Sequence, residues 1–162
     1  MTFRRSWQFF FIVALLVLAG VIGVLIGVIP EPWSQDRATV EVSDEDEQKT
    51  VVDVVVADTP SERYTGLSDY DSLEDGEGML FVHATEDERT YVMRDMDFDI
   101  DIIFIGADGE ITTIHHARAP EPGEDGEDLR YTGQAKWVLE VPRGYANETG
   151  ISEGDDISIK YH

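Results

Sequence analysis

The run Ile100–Ile105 (IDIIFI) constrains the fold of this chain more than any other stretch. It is apolar at every position except Asp101. A surface strand would alternate, so this pattern belongs to a central strand buried on both faces. Asp108-Gly109 follows and supplies the positive φ of a tight hairpin, and Glu110–His116 returns as an alternating strand. A carboxylate among isoleucines costs several kcal/mol unless it is hydrogen-bonded or paired. Asp101 is therefore expected to be a buried anchor, accepting from backbone N–H groups or from Arg94; the functional alternative is a general base or cation ligand. His115 and His116 point to opposite faces of their strand. The register is open at this level: a two-residue Asp-Gly loop sets His116 opposite Asp101, a three-residue loop sets His115 there, and a loop centred on Ala107-Asp108 pairs His116 with Asp99. Each places an imidazole beside a carboxylate.

The surrounding pieces are short strands. Val51–Ala57 is a compact apolar strand. Thr59 then fits an N-cap, Pro60 the first helical position and Glu62 the reciprocal capping partner, which predicts a helix ending near Thr65 and stopped by Gly66. Ser68–Gly78 reads as an acidic loop, and Met79–Val82 and Thr90–Arg94 as two strands. Ala119–Arg130 reads as a long loop, Lys136–Val141 as a strand bounded by Pro142, Tyr145–Glu148 as a short helix ended by Gly150, and a last strand ends at Tyr161. About seven strands with two helical turns predict an all-β domain, a small barrel or sandwich, rather than an alternating α/β sheet.

Phe9–Ile29 carries no charge over 21 residues, roughly the thickness of a bilayer's hydrocarbon core in helical form. It is expected to be a transmembrane helix, retained because no small-x-small cleavage site precedes Pro30. Arg4 and Arg5 before it and acids after it place residues 1–8 in the cytoplasm and the domain outside, with Trp7 and Trp33 at the interfaces. Arg4-Arg5 makes only a poor twin-arginine export signal, because Gln8 interrupts the apolar pair. Ala19, Gly23 and Gly27 form a small-residue stripe suited to a homodimer of helices. Residues 30–50, with Ser43-Asp44-Glu45-Asp46-Glu47, read as an acidic linker in which Val40 and Val42 make at most a short edge strand, and residues 51–162 as the β-domain.

The net charge is −22, with nine arginines and three lysines. No basic patch exists to bind nucleic acid. Dense carboxylates suit molar salt, where the Debye length falls to about 3 Å, so a halophilic origin is expected. The absence of cysteine removes thiol nucleophiles, disulfides and thiolate zinc sites. One His and one or two Asp fall short of a metal site, Met79 and Met93 read as core filler, no serine sits in a nucleophile elbow, and the glycines form no phosphate loop, so neither a metal nor a cofactor is expected.

In order along the chain, Ala57-Asp58-Thr59, Glu62-Arg63, Gly66-Leu67, Gly78-Met79-Leu80-Phe81-Val82, Met93, Asp101–Ile105 with Asp108-Gly109, Leu139-Glu140-Val141-Pro142 with Gly144, and Gly154-Asp155 resemble the DUF192 (UPF0127) family. The resemblance covers residues 51–159. It implies a small β-barrel-like domain behind a signal peptide or anchor and, with the acidic composition, an archaeal halophile as source. It implies no mechanism, because the family's activity is not established. Members usually follow Met93 with a basic residue and Asn, and carry a proline two residues before the aspartate. Here Arg94 keeps the basic character, while Asp95 and Asp99 make the segment more acidic.

These readings lead to a membrane-anchored, extracytoplasmic module that binds a ligand or assembles the envelope, with binding candidates Met93, Arg94, Asp101, His115 and His116 and the Ala119–Arg130 loop as cover. The competing class is an extracytoplasmic enzyme using Asp101 with His115 or His116, and a third is a structural spacer. The sequon Asn147-Glu148-Thr149 makes Asn147 a glycosylation candidate. The charge argument has a direct check: the melting temperature should climb with KCl up to molar concentration, and a protein that needs only millimolar divalent cation for the same gain would contradict it.

Overall fold

The computed structural model describes residues 36–45 and 47–162. The expected transmembrane span Phe9–Ile29 and its Ala19, Gly23 and Gly27 stripe lie outside these residues; among the described residues, no helix is long and apolar enough to cross a membrane.

The strands are β1 (Arg37–Asp44), β2 (Glu47–Ala57), β3 (Glu77–Val92), β4 (Ile100–Ile105), β5 (Ile111–Ala117), β6 (Arg130–Pro142) and β7 (Asp156–Tyr161), and the helices are α1 (Pro60–Thr65) and α2 (Tyr145–Thr149). All strands join one sheet in the order β5-β4-β6-β3-β2-β1-β7. Every pairing is antiparallel except β2 with β3, whose parallel arrangement requires the crossover that α1 provides. The expected all-β class with two short helices is present, but the sheet is neither a closed barrel nor a two-sheet sandwich. Its edge strands touch only at one corner, where Ile111 N–H donates to Asp155 O at 2.9 Å and Ile157 N–H to Gly109 O at 2.8 Å. Beyond that corner β5 and β7 share no ladder.

Both faces of the sheet are covered. Ile103 and Ile105 of β4 join Val40, Val42, Val52, Val54, Leu80 and Leu139 in one core, and Ile100, Ile102 and Phe104 join Met79, Phe81, Met93 and Val138 in the other. All six residues of β4 are buried, which explains why its sequence does not alternate.

Two sequence expectations change. Residues 37–44 are not linker but β1, an interior strand between β2 and β7. Its alternation of Ala38, Val40 and Val42 with polar neighbours is a half-buried strand pattern, masked by the acids that follow. Met79–Val82 and the first three residues of the expected strand Thr90–Arg94 are parts of one long strand, β3, which ends at Val92 and is interrupted by an irregularity between Val82 and Asp87. Residues 84–88 are exposed, so their composition is that of a loop although their backbone is strand.

The hairpin register is Asp101 opposite His116. The connection spans five residues, Gly106–Glu110, closed by Ile105 opposite Ile111; an irregularity at Thr112 shifts the register by one and restores the pairing that a two-residue turn would give. Thr112 Oγ1 donates to Gln134 O at 2.7 Å.

Asp101 is fully buried and fully used. Oδ2 accepts from the backbone N–H groups of Gly144 and Ala146, both at 3.0 Å, and Oδ1 lies 2.6 Å from His116 Nδ1. The carboxylate thus secures the first turn of α2, whose N-cap residue Gly144 has no side chain to do so. Asp101→Ala should destabilise the domain by about 3 kcal/mol, because it strands two buried donors. Asp101→Asn keeps one acceptor oxygen and should cost only about 1 kcal/mol. Urea unfolding of the two variants gives that ranking or refutes it.

Candidate functional site

The described residues contain a cleft of about 420 Å³ beneath α1, against the β3–β6 ribbon. Its position follows from local sequence. The capping box forms as expected: Thr59 Oγ1 accepts from Glu62 N–H, and Glu62 Oε2 accepts from Thr59 N–H at 3.0 Å. Donation to Oε2 from the Thr59 N–H, and from the Thr59 hydroxyl at 2.8 Å, holds the Glu62 carboxyl below its ordinary value. Gly66 ends the helix at φ 53°, and a Cβ there would press on the Phe81 ring. Arg63 Nη1 donates to the carbonyls of Asp58 and Val82, the latter at 2.9 Å, fastening α1 to β3.

The cleft floor is apolar, made by Leu67, Phe81, Met96 and Ile100, and the walls carry Arg63, Arg89 and Arg94. Three of the chain's few cations meet at one opening in a molecule of net charge −22. At the back sits Glu140, on β6 between β3 and β4. Its residue is 5% exposed and, among the described residues, its carboxyl has no hydrogen-bond or ionic partner. No side-chain oxygen or nitrogen among the described residues is both sealed from solvent and unpartnered, so the Glu140 oxygens open into the cleft. Burial without a compensating charge pushes the carboxyl up to about 8, which keeps it protonated at neutral pH.

Beside it, Tyr91 Oη lies 3.0 Å from His83 Nε2. Burial pushes His83 down to about 4, with Arg89 and Arg63 adding to the effect, and burial raises Tyr91. The phenol therefore donates and the neutral imidazole accepts. This polar wall offers hydrogen bonding with little charge of its own.

The residues picked out from sequence do not form one site. Met93 is fully buried in the core. Arg94 stands at the cleft mouth, its guanidinium 4.2 Å above the Tyr64 ring and paired with Glu127. Asp101 and His116 lie on the opposite face of the sheet and do not line the cleft. Arg94 does not reach Asp101; the nearest guanidinium is that of Arg143, at 3.8 Å. His115 is on the cleft's face but packs between Phe104 and Tyr131, with Nε2 2.9 Å from Thr132 O. Asn147 is exposed on α2. The loop after β5, with a 3-10 turn at Gly126–Asp128, packs on residues 94–97 and shapes a second, acidic cleft of about 560 Å³ beside the first. Gly126 is required there, since any Cβ would collide with the Met93 carbonyl, which the loop approaches closely enough for Met93 N–H to bond Gly126 O at 3.0 Å.

The two acidic departures have structural roles. Asp95 adopts φ 52°, a left-handed conformation that Asn and Asp tolerate better than most residues, and Asp99 Oδ1 accepts from Ala119 N–H at 2.8 Å to hold the start of the loop. Among the described residues, no group of three or more His, Cys, Asp or Glu converges to hold a metal ion.

Sequence reasoning missed Glu140 as a site residue, together with His83, Arg89 and Tyr91. The signal for Glu140 was present: one acid in the apolar run Trp137–Val141 is the same anomaly as Asp101 in β4.

Comparison with known proteins adds a family and a fold. The DUF192 family model, described as an uncharacterized ACR, matches residues 40–159. A crystal structure of a protein of unknown function from Novosphingobium aromaticivorans is 30% identical, with a TM-score of 0.67 over 79% of this chain and 89% of that one. A candidate transcription regulator from Sinorhizobium meliloti shares the fold, with a TM-score of 0.69 at 24% identity over 79% of this chain and 97% of that one. No curated protein matches.

Glu140 has a pH signature. The folded chain holds its proton up to about 8, whereas the unfolded chain releases it near 4.5, so this group subtracts stability as pH rises between those values and the loss is complete above them. Glu140→Gln removes that slope. The variant should match the parent near pH 4 and exceed it by about 2–5 kcal/mol near pH 9, measured by denaturant unfolding; a difference that does not change with pH would show that Glu140 is not held protonated.

Proposed function

This chain belongs to the DUF192 family, and on that premise we propose that its β-domain is a small-molecule binding module, with the ligand seated in the cleft under α1 and the domain tethered outside the membrane by residues 9–29. The observation that carries the reading is Glu140. A carboxyl placed in a central strand with no partner weakens the fold, and an apolar residue of similar size would strengthen it. A perturbed acid that opens into a cleft, beside arginines, is how a binding or reactive site is built. The apolar floor gives area for a ligand body, while Glu140, Tyr91 and Arg63 give direction.

The tether rests on the sequence: an uncharged stretch of bilayer length behind Arg4 and Arg5. Within that placement, ligand binding is preferred to envelope assembly because the distinctive chemistry lies in a concave site rather than on a flat face. The enzymatic reading, with His116 as base oriented by Asp101, has the 2.6 Å contact in its favour and an imidazole partly open to solvent. It lacks a pocket, since neither residue lines the cleft and both Asp101 oxygens are occupied.

A fragment screen on the full-length chain, read by amide chemical shifts, tests the choice. Saturable shifts should cluster at residues 63–67 and 88–94. Shifts gathered instead around His116 and Arg143, accompanied by turnover that vanishes in His116→Ala, would favour the enzyme. For the tether, protease added to intact cells should digest the domain; protection until lysis would refute external placement.

A further inference from the structure

The chemistry of the cleft narrows the ligand class, an inference that rests on the binding reading above. We propose that the cleft selects a small organic carboxylate, its anionic head held by Arg63 and Arg89 and hydrogen-bonded by Glu140, its apolar body lying over Leu67, Phe81, Met96 and Ile100.

Charge decides against the other classes. Arg63 and Arg89 are close enough to His83 and Tyr91 for both guanidinium charges to act on each, so they converge on the polar wall where Glu140 opens. Neither has a carboxylate partner among the described residues, unlike Arg94, Arg118 and Lys49. Two cations without counter-ions beside an apolar floor call for an anion with a hydrophobic body. A cationic ligand would meet three arginines here, although acidic surface is plentiful elsewhere on the chain. A bare inorganic oxyanion would leave the apolar floor empty. A planar carboxylate matches the guanidinium fork on one side and accepts the Glu140 O–H on the other.

Glu140 then works as a proton-dependent gate. Protonated, it donates to the incoming carboxylate; ionised, it repels it. The groups that line the cleft with it are His83, Glu88, Arg89 and Tyr91 of β3, Arg63 of α1, Tyr64 at its exposed end, and Arg94 after β3. His83, pushed down to about 4, and Tyr91, pushed above its ordinary value, both titrate outside the range from pH 6 to pH 9, whereas Glu140, pushed up to about 8, titrates inside it.

The experiment uses the full-length chain in nanodiscs of neutral lipid, titrated with benzoate, hexanoate, benzamide and benzylamine and read by amide chemical shifts at pH 6 and pH 9. The carboxylates should bind saturably at residues 63–67 and 88–94 at pH 6 and lose about tenfold in affinity at pH 9. Benzamide and benzylamine should not saturate. Glu140→Gln should abolish the pH dependence, and Arg63→Gln should lose binding that Arg63→Lys partly restores. Because Arg63 also fastens α1, the Glu140→Gln result stands as the independent check should the arginine variants melt early. Benzamide or benzylamine binding as well as benzoate overturns the inference. So does carboxylate binding that is equal at both pH values. Silence from all four probes, with fragments still binding the cleft, rejects the carboxylate class and leaves the binding reading intact; silence from probes and fragments alike removes both.

Discussion

Two carboxylates buried one register step apart organise this domain. Asp101 on β4 lies opposite Val141 of β6, and Glu140 of β6 lies opposite Ile102 of β4, so the acids occupy adjacent rungs and emerge on opposite faces. Central strands covered on both sides leave Asp101 no water and Glu140 only what the cleft admits. Among the described residues, Asp101 is satisfied completely, by two backbone donors and an imidazole, and Glu140 finds no partner. The first arrangement secures α2. The second leaves an acid whose chemistry is available only to whatever enters from the cleft side.

Everything around Glu140 serves to keep that opening in shape. The capping box and Gly66 fix the length of α1, Arg63 fastens it to β3, and Arg94 joins Tyr64 to Glu127 across the mouth. The irregularity between Val82 and Asp87 separates the paired halves of β3 and carries the outer half past the core as a ribbon with β6. The cleft is the space between that ribbon and the helix. Its cations stand out because acids outnumber bases 34 to 12 along the chain.

Much of this was legible in the chain. Thr59, Pro60, Glu62 and Gly66 carry their signals in adjacent residues, and α1 formed where those signals placed it. The uninterrupted burial of β4 and the closeness of Asp101 to an imidazole were equally readable, because period and composition act locally. What was hidden depended on distant partners. Residues 37–44 look like linker until β7 arrives to cover them, and 83–89 look like loop because their pairing strand, β6, begins about forty residues later. The preference for Asp101 over Glu140 as a site had the same cause: both acids break an apolar run, and only the tertiary structure reveals which one finds donors. Arg94 lines the cleft, on the far side of the sheet from Asp101.

The placement of β1 between β2 and β7 governs the order in which this chain can be completed. The first described strand takes its second row of backbone partners from β7, Asp156–Tyr161, and His162 N–H reaches back to Arg37 O at 2.9 Å. Until β7 has been made, β1 keeps a bare edge and the corner joining β5 to β7 cannot form. Pairing on both sides of β1 therefore waits for the whole domain, and a chain interrupted before Asp156 leaves that strand with a row of unpaired backbone groups.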